Sequence, residues 1–145
     1  MNREEKMLHR VLTVLAAMVL TLSSSARAQT ATAKTDEPVS GGRPLSEWIA
    51  DLKGLSPETR NAAAYQIAGM GPAAAAAVPA LIEALDDPIA AVRFPVTVAL
   101  MEIGPAAKAA VPRLKTMMDE EINDEIAASA RRALRHIQPA AVQSR

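Results

Sequence analysis

Between Pro44 and Pro139 the apolar residues recur on the spacing of an α-helix, and glycine-proline and aspartate-proline breaks interrupt them. Leu45, Trp48, Ile49 and Leu52 stand at i, i+3, i+4 and i+7 and predict one helix, closed by Gly54 as a left-handed cap. Ser56 as N-cap, Pro57 at the first helical position and Glu58 near the positive end open a second helix, which runs through Ile67 towards Gly69 and Gly71. The plan then repeats. Pro79 breaks the alanine run Ala73–Ala77, which predicts a kink at Val78 and a helix over Pro79–Leu85. Asp87-Pro88 predicts the start of a helix ending at Ile103. Helical segments over Pro105–Ala110, Pro112–Met118 and about Asp124 to Ile137 complete the series. Pro95 predicts a kinked or late-starting helix, because well inside a helix begun at Pro88 it would cost ~3 kcal/mol.

A longer period runs beneath the helical one. Gly71-Pro72 returns as Gly104-Pro105 and Val78-Pro79 as Val111-Pro112, at the same spacing, and Trp48, Leu81 and Leu114 share it. Ile67, Leu100 and Leu134 keep the register once one residue is inserted in the acidic third turn. Self-similarity at such a period marks a solenoid in which each unit packs on its neighbours. The reading is all-α, an α-α superhelix of about three helical hairpins over 44–71, 72–104 and 105–139. Its expected core is Ala63, Ile67 and Met70, then Val96, Leu100 and Ile103, then Ala130, Leu134 and Ile137.

The flanks change this picture in one respect. Residues 1–28 have a charged start, an apolar run from Val11 to Leu22, and Ala26-Arg27-Ala28, the layout of a secretory signal peptide cleaved after Ala28. The run is shorter than the ~20 residues that span a bilayer, so no membrane insertion is expected once the leader is cut. Residues 29–43 are polar and read as a flexible linker, and 140–145 as a frayed tail. Localisation is therefore expected to be secreted or periplasmic. Without the leader, 12 basic side chains face 14 acidic ones, about −2 in all. That opposes a nucleic-acid partner. Cysteine is absent, so thiolate chemistry is unavailable.

The patterns Gly-Pro-Ala-Ala-x-Ala-Ala-Val-Pro-x-Leu and Asp-Pro-x-x-x-Val-Arg, with Ala99-Leu100 and Ile103-Gly104-Pro105, resemble HEAT repeats of the short phycobilisome-lyase type over about two-thirds of the chain. The resemblance implies first helices outside, second helices lining an inner surface, and binding of proteins rather than catalysis. Ala127 departs from it, standing where the other units carry Arg60 and Arg93, and so does Pro95, where such repeats usually have alanine.

Two sets of side chains are candidates for function. Phe94, Val98 and Met101 form an apolar triplet on the second helix of the middle unit, where repeats of this type usually carry charge. With Tyr65, Arg132 and Arg135 at its edges this is the expected partner-binding patch. The alternatives are ordinary core or the closure of a homodimer. Arg60 and Arg93 with Asp86 and Asp87 are expected to form a ladder tying successive turns together, as the resemblance implies. The acidic residues Asp119, Glu120, Glu121, Asp124 and Glu125 lack the spacing and central glycine of a calcium loop. No metal, cofactor or catalytic constellation is expected; His136 is the one histidine beyond the leader. The expectation is an exported, non-catalytic scaffold that holds another protein, the alternative being a lyase-like chromophore-handling protein or an accessory subunit of an enzyme.

Overall fold

The structure, a computed structural model, describes residues 36–139. The expected signal peptide, the first part of the linker and the tail lie outside the described residues.

Ordered structure begins before Pro44, contrary to the expected flexible linker. Strand β1 (Val39–Ser40) pairs antiparallel with β2 (Arg43–Pro44) around Gly41 and Gly42. Both glycines hold positive φ, 56° and 76°, as the two central residues of a tight hairpin turn require. This hairpin is anchored on Trp48. The indole Nε1 donates to the Ser40 carbonyl at 3.0 Å, and Arg43 lies over the ring, 4.0 Å from its centroid. Arg43 also pairs with Glu47 and Asp51, and the Ser40 hydroxyl donates to Gln66 Oε1 at 2.6 Å.

Helix α1 (Leu45–Asp51) and helix α2 (Pro57–Met70) form the first unit. Ser56 caps α2 by accepting from Thr59 N, with Pro57 in the first turn. Gly54 is not left-handed: it is absent from the positive-φ glycines, and a Cβ there would come to 3.0 Å from the Asp51 carbonyl oxygen. Space, and not φ, calls for glycine at 54. The left-handed positions are Gly71 (φ 56°) and Gly104 (φ 70°), which close the second helices.

After each of these glycines the chain runs as a 3-10 helix, Gly71–Ala77 and Gly104–Ala110, before helices α3 (Val78–Ala84) and α5 (Val111–Glu120). The kink is at Ala74 (φ −85°, ψ 18°) and Ala107 (φ −83°, ψ 16°), not at Val78. Val78 is helical because Pro79 sits in the first turn, where its missing N–H costs no bond, and because the buried valine is held against the core. The stretches Pro57–Ala84 and Ala90–Glu120 are long and apolar enough by composition to cross a membrane, but a non-helical glycine breaks each of them.

Helix α4 (Ala90–Ile103) starts two residues later than Pro88. Even so, Pro95 is interior and buried. Its missing donor leaves the Ala91 carbonyl without an i+4 partner, and Asn61 Nδ2 on α2 supplies the bond at 2.5 Å. Helix α6 (Asp124–Ile137) is capped by Asn123, whose side chain accepts from Glu125 N and Ile126 N.

Within the described residues α2 packs on α4 and α4 on α6, and α1, α3 and α5 pair with the helix that follows each. The expected core set is buried except for Met70, which is half-buried. Alanine fills the gaps between helices, which permits close approach, and Ile67, Leu81, Leu100 and Leu134 supply the larger buried surfaces. One polar contact crosses this interior. The Ser129 hydroxyl on α6 meets Thr97 Oγ1 on α4 at 2.6 Å, and Thr97 donates to the Phe94 carbonyl at 2.7 Å, so both buried hydroxyls are satisfied. The fold is all-α, a row of helical hairpins with a short N-terminal β-hairpin laid over its first unit.

Candidate functional site

The second helices place most of the expected patch on one side. Phe94, Val98 and Met101 follow one another along α4, half-buried, with their inward parts packed against the core. Tyr65 on α2 is 49% exposed. Tyr65 and Phe94 line a common groove of about 280 Å³ with Asn61, Ala90 and Ala91, closed on its third side by Asn123, Glu125 and Ile126 at the start of α6. The groove is thus lined by two aromatic rings, by small and branched apolar side chains, and by the polar Asn61, Asn123 and Glu125. Val98 and Met101 continue the apolar surface beyond it along α4.

Arg132 and Arg135 are exposed on α6 and do not line the groove. Register explains where they point. Thr97 faces α6, as its bond to Ser129 shows. One period on, Arg131 takes the position that Ala64 and Thr97 hold fully buried, while Arg132 and Arg135 take the positions of Val98 and Met101. Arg131 is exposed at the position that in α2 and α4 faces the next helix. Arg132 and Arg135, both exposed, continue the row of Val98 and Met101 from α4 onto α6.

The arginines at the helix starts are bound in register. Arg60 Nε and Nη2 donate to Asp87 at 2.6 and 3.1 Å, while Nη1 donates to the Gly54 and Leu55 carbonyls. Arg93 repeats the arrangement one unit on, with Nε and Nη2 on Glu121 at 2.7 and 2.9 Å and Nη1 on the Asp87 carbonyl at 2.8 Å. These planar, two-pronged contacts suit guanidinium and carboxylate geometry. Burial pushes the Asp87 carboxyl up, but its hydrogen bonds from Arg60 and from Ile89 N outweigh that and hold it below the usual carboxylate value. Arg93 holds Glu121 down in the same way, against a smaller effect of burial. Asp86 stands outside this arrangement and pairs with Arg113 on α5. At Ala127 the series of arginines stops.

Sequence reasoning misses Glu121 as the partner of Arg93 because it treats the acidic turn as a solvated whole. The signal is present: Glu121 follows Asp87 by the same interval that separates Asn123 from Ile89, the caps of α6 and α4. The helical spacing puts Asn61 on the correct face, but its bond to the carbonyl freed by Pro95 needs the two helices side by side. Among the described residues no group of three or more histidine, cysteine or carboxylate side chains is arranged to hold a metal ion.

No curated protein and no solved structure matches the chain. Residues 45–135, which span all three hairpins, match the family model for HEAT repeats, and the chain belongs to that family.

Proposed function

We propose that this chain is an exported, non-catalytic scaffold that holds another protein against the α2–α4–α6 surface. HEAT repeats generally mediate protein–protein interaction. The observation that carries the reading here is the apolar line of Phe94, Val98 and Met101 along α4, open beside Tyr65. Partly exposed aromatic and methionine side chains framed by polar groups are what interface centres are made of. Arg132 and Arg135, one period on from Val98 and Met101, supply a positive edge to the same surface. Export rests on the leader pattern of residues 1–28, and mass measurement of the chain from the cell envelope tests it, with cleavage after Ala28 as the expected result.

The direct test replaces Phe94 and Met101 by glutamate. Both are half-buried, so the helices should persist by circular dichroism while partner capture is lost. Retained capture, or loss of the helices themselves, would count against the surface. Absence of visible absorbance from the purified chain separates this role from chromophore handling.

A further inference from the structure

The arginines of the described residues divide into two sets. Arg43, Arg60, Arg93 and Arg113 each meet a carboxylate. Arg131, Arg132 and Arg135 on α6 are exposed and have no carboxylate partner among the described residues. They also crowd one another. Arg131 and Arg135 are four apart and Arg132 and Arg135 three apart, the spacings at which like charges on a helix repel. Alanine stands at 127 and 128, where a carboxylate one turn earlier could pair with Arg131 or Arg132. The dipole of α6 accounts for Arg135 in its last turn, but that effect fades before Arg132 is reached.

The other charges of the second helices do not cancel this set. Arg60 and Arg93 are taken up by Asp87 and Glu121, and Glu58 is hydrogen-bonded by Ser56 in the cap of α2. Asp124 and Glu125 belong to the first turn of α6, about two turns from Arg132. Glu102, exposed beside Met101, is the one carboxylate that the second helices carry at the same end as the arginines. The row of Phe94, Val98 and Met101 therefore runs between two ends of opposite sign. Glu125 lines the groove beside Phe94, while Arg132 and Arg135 stand one period from Val98 and Met101.

Resting on the reading of this surface as a partner site, we propose that its occupant is an amphipathic helix of the partner protein with carboxylates on the flank over Arg132 and Arg135. Phe94, Val98 and Met101 stand at i, i+4 and i+7, a stripe of about two turns. A helix laid along it packs at about 8–10 Å and meets it with apolar side chains at the same spacing. Carboxylates in the half over Phe94 would face Glu125, so the acidic positions are confined to the half over the arginines. An anionic bilayer suits the surface less well. The apolar side chains are half-buried, which leaves little to insert, and the headgroups would also meet Glu102 and Glu125.

The test is fluorescence anisotropy of the full chain with a labelled helical peptide of about 14 residues, with leucines at i, i+3, i+4 and i+7 and glutamates beside the leucines of its first half. Binding is expected, weakened by salt and weakened about tenfold by Arg132→Glu with Arg135→Glu. The same peptide with lysine for glutamate should bind the native chain about tenfold less well, and should prefer the reversed variant to the native chain. Arg132→Gln with Arg135→Gln places no carboxylate at the end of α6 and carries the test if the reversed variant loses helix by circular dichroism. Equal binding of the two peptides, or no effect of either pair of arginine substitutions, would overturn the proposal. In the envelope, partner capture lost with Phe94→Glu and Met101→Glu but not with the arginine substitutions would keep the surface and remove its acidic occupant. Capture insensitive to all four positions would remove the surface itself. Self-association, or pelleting with phosphatidylglycerol vesicles, abolished by the arginine substitutions while the peptide fails to bind, would assign the face to a second copy or a membrane and equally overturn the proposal.

Discussion

Asn61 and Pro95 should be energetically coupled although they lie on different helices. Pro95 removes the N–H that would close the α-helical bond to the Ala91 carbonyl, and Asn61 Nδ2 fills the vacancy at 2.5 Å. In the native chain Asn61→Ala deletes that bond, at a cost of about 1 kcal/mol for a hydrogen bond that water can partly replace. In a Pro95→Ala background the backbone N–H restored at position 95 reaches the carbonyl, and the same Asn61→Ala change should cost no more than about 0.3 kcal/mol. Pro95→Ala by itself should be close to neutral. Recovering regular helix is worth about 3 kcal/mol, the lost burial of two carbons removes about 1.6, and the lost restriction of the unfolded chain removes up to about 1. The assay is urea and thermal unfolding of the four chains of the cycle, followed by far-UV circular dichroism. For a domain of this size 1 kcal/mol corresponds to about 4–8 °C in midpoint. Asn61→Ala costing the same in both backgrounds would refute the account of how Pro95 is accommodated.

Acid should weaken the stack through Asp87 and Glu121. Both carboxyls are held below their ordinary values in the folded chain, so their stabilisation is present above about pH 4 and is lost as pH falls through the lowered folded values. Unfolding midpoints measured down the acid range should therefore fall less steeply for Asp87→Asn with Glu121→Gln than for the native chain. Gly42→Val forces a β-branched residue into positive φ, about 1–2 kcal/mol of strain. It should release the β-hairpin, seen as a red shift of Trp48, the one tryptophan, with little change in helicity. Leu100→Ala, at the centre of the middle unit and fully buried, should cost about 2–5 kcal/mol by chemical unfolding. Arg131→Ala, at an exposed position of α6, should stay within about 0.5 kcal/mol by chemical unfolding, and a larger loss would contradict the exposure of that side chain.

The repeat, the helices and the core can be read from the sequence because each rests on local spacing. Ile67, Leu100 and Leu134 have to be interior once the period is seen, and Ser56-Pro57 can mark only a helix start. What escapes such a reading depends on contacts between segments. Residues 37–43 look too polar to order by themselves, and they do so by closing on Trp48 and Gln66. The pair Gly41-Gly42 is a hairpin-turn signal, but no apolar strands flank it to give it weight. The position of Gly54 suggests a left-handed φ, while the actual constraint is the nearby Asp51 carbonyl. The kink falls at Ala74 and not at Val78 because the rule for residues before proline is weaker than the packing of a buried valine in a first helical turn. At the candidate surface the composition is visible in the sequence, but the groove shared by Tyr65 and Phe94 is not, since three helices build it.

The central claim is that the α4 surface holds a partner protein, and site-directed photocrosslinking in the native envelope tests it most directly. A benzophenone side chain placed at Phe94 should yield a discrete adduct with a second protein, and one placed at exposed Ala109 on the opposite helical layer should not. No adduct at 94, or the same adducts from both positions, would contradict the account.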